Sequence, residues 1–411
     1  MKTVLIWLTL CFGTLMTTYA NGTAYLFSYF INDSKDGLHL AYSYDGLNWT
    51  ALNGGKSYLT PAVGKDKLMR DPSICQAPDG TFHMVWTSSW TDRIIGYASS
   101  RDLVHWSEQR AIPVMMHEPT AHNCWAPELF YDEPSQTYYI FWATTIPGRH
   151  KEVATSESEK GLNHRMYYVT TKDFQTFSKT KMFFNPDFSV IDAAIVKDPK
   201  NEDLIMVVKN ENSNPPEKNL RITRTRNLAK GFPTKVSPSI TGNYWAEGPA
   251  PLFVSDTLYV YFDKYRDHRY GAVRSLDHGE TWEDVSDLVS FPRGIRHGTA
   301  FAVDTSVVEA LIANCNFPLL GSRKGDRDAS RFQSPLHSSK DTILRVRLLV
   351  LSLRMFSSIW SVSGSSAHTP KRSSNFPLPV LFLASFFNMD SVSIFIRCSL
   401  ASSLSDFSIS K

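Results

Sequence analysis

The sequence predicts an all-β protein built as a five-bladed β-propeller. A segment of one form occurs five times: a short strand, a polar turn and a closing aromatic residue. The closing residues recur about every 50 to 70 positions, which is close to the length of a four-stranded blade. A strand rich in aromatic and β-branched residues precedes each segment, as expected of half-buried strands. The closing residues are Trp49, Trp106, Phe177, Phe232 and Trp282.

Each blade also needs an inner strand beside the propeller axis. The first repeat has none of its own, and a candidate without a blade follows the last repeat. We therefore expect the C-terminal inner strand to pair with the N-terminal strands, which closes the ring and leaves no open sheet edge. The pattern predicts no helix of useful length. The candidate inner strands are "RDPSICQAP", "WAPELFYDE", "IDAAIVKDP", "AEGPAPLFV" and "RHGTAFAVD".

The two ends of the chain differ from the propeller, which we place at residues 21–318. At the N-terminus, Lys2, the apolar run "VLIWLTLCFGTLM" and the small residues of "TTYA" are typical of a signal peptide cleaved after Ala20. This predicts a secreted, periplasmic or cell-surface protein. Residues 319–411 are rich in Ser and match no blade, so we expect them to lie outside the fold and to take no part in chemistry. A truncation near Leu320 that lost folding or activity would contradict this.

Composition limits the partners. The formal net charge of +3 is small for 411 residues, so we expect no nucleic-acid binding. The apolar runs are too short for a confident membrane span, and we expect no stable membrane insertion and a monomeric protein. The four cysteines after the signal peptide show no spacing that names a disulfide.

Three carboxylates stand at the beginnings of different inner strands: Asp71, Asp192 and Glu247. Inner strands surround the propeller axis, so residues that open them meet in space although they are far apart in the sequence. A single Asp at such a position is an ordinary turn residue. Three acids together cost electrostatic energy unless they have a use. The pattern therefore predicts an active site in an axial pocket.

The motifs RDPSI, WAPEL, IDAAI, EGPAPL and RHGTA, in this order, resemble glycoside hydrolase family 43, which includes arabinanases, arabinofuranosidases and xylosidases. The resemblance covers residues 24 to 305. It implies that Asp71 is the general base, Glu247 the general acid and Asp192 a residue that orients and modulates the acid. It places His297 near the pocket floor, where some members have a metal or water cluster. We expect no cofactor, although a calcium ion at His297 is possible.

Four further residues are candidates for substrate binding: Arg70, Trp125, Glu128 and Arg296. Trp125 begins an inner strand and could stack on a sugar or pack in the core. Glu128 occupies a position of WAPEL where the family often has other polar residues. Arg70 and Arg296 could hold a hydroxyl or carboxylate of the sugar or pair with the catalytic acids.

The resemblance implies an inverting hydrolase of arabinofuranosyl, xylosyl or galactosyl linkages in oligosaccharides or polysaccharides. Inversion predicts that the carboxyl groups of Asp71 and Glu247 lie about 6.5 to 9.5 Å apart. We expect Asp192 to raise the pKa of Glu247 so that the glutamate stays protonated. The alternatives are a retaining fructan or sucrose hydrolase of the related clan and a non-catalytic glycan-binding propeller.

Overall fold

The computed structural model describes residues 22–31, 34–151, 157–316, 381–386 and 395–400. Most of the first three ranges are short strands joined by turns. In chain order the strands of this part are β1 (Thr23–Tyr29), β2 (His39–Ser43), β3 (Thr50–Ala51), β4 (Arg70–Gln76), β5 (Phe82–Thr87), β6 (Ile95–Ser100), β7 (Arg110–Ile112), β8 (Trp125–Asp132), β9 (Thr137–Thr145), β10 (His164–Thr171), β11 (Lys181–Phe184), β12 (Val190–Lys197), β13 (Leu204–Asn210), β14 (Asn219–Thr225), β15 (Glu247–Val254), β16 (Thr257–Lys264), β17 (Arg269–Ser275), β18 (Glu283–Asp284) and β19 (Ala300–Asp304).

These strands form five antiparallel sheets arranged as the blades of a propeller, which confirms the predicted fold. Four blades follow the chain: β4 to β7, β8 to β11, β12 to β14 and β15 to β18. The inner strands β4, β8, β12 and β15 pack against one another in succession. Five apolar clusters fill the spaces between neighbouring blades, with Trp86, Trp142 and Tyr261 among the largest fully buried side chains.

The remaining blade combines the two ends of the propeller, as predicted. Its strand order is β19, β1, β2 and β3. Strand β19 pairs antiparallel with β1 from Ala300 opposite Phe27 to Asp304 opposite Thr23. The ring is therefore closed by hydrogen bonds between residues about 280 positions apart in the sequence, and no inner edge stays open at the junction.

The repeated segment forms the turn that ends the third strand of a blade. In the first blade, the Asp45 carboxylate accepts hydrogen bonds from the backbone N–H groups of Leu47 and Asn48, and Trp49 Nε1 donates to the Gly46 carbonyl. The side chain of an Asp supplies acceptors that a tight turn would otherwise lack. Similar turns centre on Asp102, Asp173 and Asp277.

The fourth blade has three strands where the repeat predicts four. Its outer segment still makes backbone hydrogen bonds, from Ser237 N to Ile222 O and from Ile240 N to Leu220 O. Pro238 lies between these two donors and has no N–H of its own. The segment therefore follows β14 without forming a regular strand.

A helix that the sequence pattern did not predict follows the last strand. This helix, α1 (Thr305–Asn316), buries Val308 and Leu311 in the cluster between the first and second blades. Twelve residues give only three turns, so the apolar stripe is too short to stand out in the sequence. The prediction that the propeller contains no helix was wrong at this position.

The chain divides into two units, Met1–Ser322 and Arg323–Lys411. In the second unit the described residues form two antiparallel strands, β20 (Leu381–Phe386) and β21 (Phe395–Leu400). The segment predicted to be a signal peptide and most of residues 319–411 lie outside the described residues, so those expectations stay predictions. Within the described ranges, no helix is both long and apolar enough to cross a membrane.

Candidate active site

Four inner strands begin in the same way. The first residue of β4, β8 and β15, and the first two residues of β12, pair with the neighbouring strand, and the register then shifts before pairing resumes. The shifted position has a left-handed backbone in each strand. The residues at that position, with their φ values, are Asp71 (52°), Ala126 (43°), Asp192 (52°) and Gly248 (59°). The repeated bulge is a feature of the fold that re-aims side chains at the start of an inner strand.

The bulge corrects one expectation about the three acids. Asp71 and Asp192 occupy equivalent left-handed positions, but Glu247 stands one residue earlier, at the position that Arg70 and Trp125 hold in their blades. Gly248 takes the left-handed position in the last blade. The three carboxylates still converge, although they reach the pocket from two different strand positions.

Gly248 explains why a glycine follows the glutamate in "AEGPAPLF". Its φ of +59° belongs to a region that side chains with a Cβ rarely adopt. A Cβ at Gly248 would lie 1.9 Å from the Cβ of His297. The absence of a side chain therefore allows His297, on the segment that closes the ring, to approach β15 directly.

His297 lies between the two carboxylates that the resemblance assigns to catalysis. Its Nδ1 atom is 3.0 Å from Asp71 Oδ1, and its Nε2 atom is 3.6 Å from Glu247 Oε1. Asp192 lies beside the same group, where its Oδ2 accepts a hydrogen bond of 3.0 Å from the backbone N–H of Gly248. Asp71 and Glu247 are thus on opposite sides of one imidazole ring.

Asp71 has a second partner that the sequence analysis missed. Thr87, the last residue of β5, donates a hydrogen bond of 2.7 Å to Asp71 Oδ2 and accepts one of 2.8 Å from the backbone N–H of Ala126. The hydroxyl therefore ties the second blade to the third and fixes the orientation of the Asp71 carboxylate. An isolated Thr at a strand end gives no signal of this role in the sequence.

A buried lysine was also missed. Lys209 is 1% exposed, and its Nζ atom lies 2.9 Å from Glu247 Oε2 and 2.6 Å from Glu211 Oε2. Lys218, also buried, lies 2.7 Å from the other oxygen of Glu211. Two buried lysines and two partly buried glutamates form a continuous chain of ion pairs that includes Glu247. The only signal in the sequence is a lysine at the end of the apolar strand "LIMVVKN".

These contacts reverse the expected pattern of pKa values. Burial raises the pKa of Asp192, and Glu247 and Asp71 add to the rise. Burial, the largest single influence, would by itself raise the pKa of Glu247, but Lys209, His297 and Arg296 together outweigh burial and lower it. The expectation that Asp192 keeps Glu247 protonated was wrong for this site. The raised pKa belongs to Asp192, because the cations lie against Glu247.

We expect a Lys209→Met variant to change the pH dependence of activity. Removing a cation in contact with a carboxylate raises its pKa by about 1 to 3 units. If Glu247 must be protonated to act as the acid, activity falls as pH rises through its pKa. The high-pH limb of the kcat/KM profile should therefore move to higher pH in this variant.

Lys218→Met is the matched control for this experiment. Both lysines are buried and both contact Glu211, but Lys218 has no ion pair with Glu247. Its high-pH limb should move less than that of Lys209→Met. Equal shifts in both variants, or no shift in either, would contradict the assignment of Lys209 as the cation that controls Glu247.

The two candidate arginines differ in their contacts. Arg296 contacts the carboxylates of Asp263 and Glu247, the latter at 3.1 Å. This is the pairing with acids that the sequence left open. The guanidinium of Arg70 lies over the rings of Phe30 and Trp90, at 4.5 and 4.6 Å from their centres.

Arg70 has no carboxylate partner among the described residues. Its Nη1 atom donates a hydrogen bond of 3.1 Å to Ser34 Oγ. No acid of the described ranges therefore competes for its guanidinium, which keeps Arg70 a candidate for binding a sugar hydroxyl.

Trp125 and Glu128 lie in different surroundings although both belong to β8. Trp125 is half-buried, and its Nε1 donates to the Trp90 carbonyl at 3.0 Å. Trp90 itself is 48% exposed. Glu128 accepts hydrogen bonds from Ser73 at 2.6 Å and Thr299 at 3.2 Å, and burial raises its pKa to about 8.

Asp192, Glu247 and His297 are close enough together to be considered as metal ligands. One ligand atom from each lies within 4.8 Å of the others. Both Glu247 oxygens, however, already contact cations, Lys209 and Arg296. A calcium ion would also need six to eight oxygen ligands. The residues therefore do not fit a resident cation at this position.

A small cavity lies on the propeller axis, where these inner strands begin. Its lining includes Asp71, Glu128, Asp192 and His297. Paired carboxylates on either side of a pocket are the groups that glycoside hydrolysis uses. The fold and the pocket define a propeller of the glycoside hydrolase class.

Comparison with protein families gives the same class. Residues 21–309 match a family model described as "Probable glycosyl hydrolase domain", which is related to glycoside hydrolase family 43. The match spans more than half of the chain and all five blades. The chain belongs to this family.

Individual relatives are distant. An α-L-arabinofuranosidase of Bifidobacterium longum subsp. longum is 22% identical over 204 residues, which are 44% of this chain and 19% of the relative. The chain thus spans only a small part of that relative's length.

Solved structures are similarly distant. An α-L-arabinofuranosidase from Lactobacillus brevis is 18% identical, with a TM-score of 0.42 over 53% of this chain and 72% of its own. An exo-β-1,3-galactanase from Phanerochaete chrysosporium is 14% identical, with a TM-score of 0.40 over 55% of this chain and 53% of its own.

Proposed function

We propose that the protein hydrolyses O-glycosidic bonds of arabinofuranosyl, xylosyl or galactosyl units in oligosaccharides or polysaccharides, with inversion at the anomeric carbon. The observation that carries the proposal is the position of His297 between Asp71 and Glu247. The ring separates the two carboxylates, as expected of an inverting enzyme, in which the carboxyl groups stand far enough apart to admit the attacking water. A retaining enzyme needs its carboxylates closer together.

In this proposal Asp71 accepts a proton from the attacking water. Thr87 holds one oxygen of Asp71, and the other faces His297. Glu247 donates a proton to the leaving oxygen on the opposite face of the sugar. Asp192 holds the backbone of Gly248, directly after the acid, and so orients Glu247.

The proton on Glu247 needs an explanation, because its pKa is lowered in the unliganded site. Arg296 contacts Oε1, which is the oxygen that also faces His297. A leaving oxygen that bonds to Oε1 replaces the contact with Arg296 and removes one of the cations that lower the pKa. Substrate binding then favours the protonated acid.

The test is a screen of aryl arabinofuranosides, xylosides and galactosides, followed by proton NMR of the product. We expect at least one class to be hydrolysed, and the first-formed sugar to have the anomeric configuration opposite to the substrate. Retention of configuration would contradict the proposed roles of Asp71 and Glu247. Binding of glycans without turnover would favour the non-catalytic alternative, and hydrolysis of sucrose or fructan with retention would favour the related clan.

The remaining parts of the proposal rest on the sequence alone. They are export through the N-terminal signal, a monomeric state, and the absence of nucleic-acid and membrane partners. Detection of Asn21 as the first residue of the exported protein would support the export step. An N-terminus that still contains residues 1–20 would contradict it.

A further inference from the structure

A second cavity lies beside the proposed acid, on the same face of the propeller. Strand β15 begins at Glu247, and neighbouring strands in the blade are antiparallel. The end of β16, the start of β17 and the loop at residues 286–296 therefore all lie on the side of the axial pocket. These segments enclose a cavity of about 450 Å³, which we call the rim cavity.

The rim cavity is connected to the acid through one residue. Arg296 lines the cavity, and its guanidinium reaches Glu247 Oε1 at 3.1 Å. Asp263, which also lines the cavity, accepts from the same guanidinium. Of the described side chains, only the guanidinium of Arg296 thus stands between the rim cavity and the carboxylate of Glu247.

The lining of the rim cavity is polar and incompletely bonded. Tyr270 is 6% exposed, and its hydroxyl has no hydrogen-bond partner among the described residues. Buried polar groups in folded proteins are nearly always bonded, so an unbonded hydroxyl beside a cavity points to a ligand. Arg293 is exposed at the cavity and makes no ion pair within the described part of the chain. Tyr and Arg donors of this kind suit the hydroxyl groups of a sugar.

We propose that the rim cavity binds the leaving-group sugar, so that the natural substrate is an oligosaccharide or polysaccharide with a sugar on the leaving side of the cleaved bond. The inference rests on the proposed function, because the leaving oxygen must lie next to the general acid. The volume of the rim cavity falls within the range of small-ligand sites, about 300 to 1,000 Å³. Tyr270 and Arg293 hold the sugar, and Arg296 moves between the sugar and Glu247.

The test compares two substrates with the same sugar at the cleaved bond. One carries a 4-nitrophenyl leaving group and the other a sugar. In Tyr270→Phe we expect the ratio of kcat/KM for the oligosaccharide to kcat/KM for the aryl glycoside to fall about three- to tenfold, as for the loss of one neutral hydrogen bond. Arg293→Ala should lower the same ratio. Tyr259→Phe is the control, since Tyr259 is a buried tyrosine of the same blade outside the rim cavity, and it should leave the ratio unchanged.

An unchanged ratio in both Tyr270→Phe and Arg293→Ala would overturn the proposal, and so would an equal fall in Tyr259→Phe. Calorimetric titration of Asp71→Asn with the oligosaccharide gives a readout independent of turnover. Adding Tyr270→Phe to this variant should weaken binding about three- to tenfold. If no glycoside is hydrolysed by the unaltered protein, the proposed function fails. Unchanged calorimetric binding in the double variant would refute the assignment of the rim cavity by itself.

Discussion

An Asp71→Asn variant is expected to lose hydrolysis of every glycoside that the unaltered protein cleaves, with kcat/KM lower by about 10²- to 10⁴-fold. The amide keeps the size of the carboxylate and can still accept the hydrogen bond from Thr87. It cannot accept a proton from water at any working pH. The loss should therefore be similar for substrates with good and with poor leaving groups, because both need an activated water.

Asp256→Asn provides the control for this variant. Asp256 is exposed and lies in the turn between β15 and β16, at the opposite end of the blade from Glu247. Its kcat/KM should equal that of the unaltered protein. Full activity of Asp71→Asn would remove Asp71 from the mechanism and with it the assignment of the general base.

A Glu247→Gln variant is expected to discriminate between leaving groups. Hydrolysis of oligosaccharides should fall by about 10²- to 10⁴-fold, whereas dinitrophenyl glycosides should retain much more activity, since their leaving group needs no proton. The high-pH limb of the kcat/KM profile should disappear, because it reports the deprotonation of Glu247. Steady-state kinetics on both substrates across pH measures the two effects together.

Glu211→Gln is the matched control for Glu247→Gln. Both glutamates accept from Lys209, so each variant removes one carboxylate from the same lysine. Only Glu247 is placed to reach the leaving oxygen. Glu211→Gln should therefore affect both substrates to the same extent and keep the high-pH limb. If Glu247→Gln lowered kcat/KM by the same factor for oligosaccharides and for dinitrophenyl glycosides, Glu247 would not be the acid.

The sequence predicted the parts of the fold that repeat. Five polar turns, each followed by a closing ring, mark the blades, and the inner strands carry recognisable motifs. Closure through β19 was predicted by counting strands. The first repeat has no inner strand of its own, and the inner-strand motif after the last repeat has no blade of its own. The irregular fourth blade and helix α1 each occur only once. A prediction based on repeated segments therefore could not detect them.

The site was predictable only where its residues belong to the inner strands. Asp71, Asp192 and Glu247 are near the start of these strands, and the fold brings strand starts together. Lys209 and Thr87 belong to the second strands of their blades, where the sequence shows only an ordinary strand. The electrostatic balance at Glu247 depends on Lys209, so the direction of its pKa could not be obtained from the three acids alone.

Closure of the ring by β19 also affects when the site becomes complete during synthesis. Arg296 and His297 lie just before β19, near the end of the propeller, whereas Asp71 lies in the second blade. A chain emerging from the ribosome folds from its N-terminus, and it reaches Arg296 only after four blades have been made. Nascent chains that stop short of this point lack both residues around Glu247. Catalytic activity would therefore require the closed ring. Partly synthesised chains would stay inactive inside the producing cell.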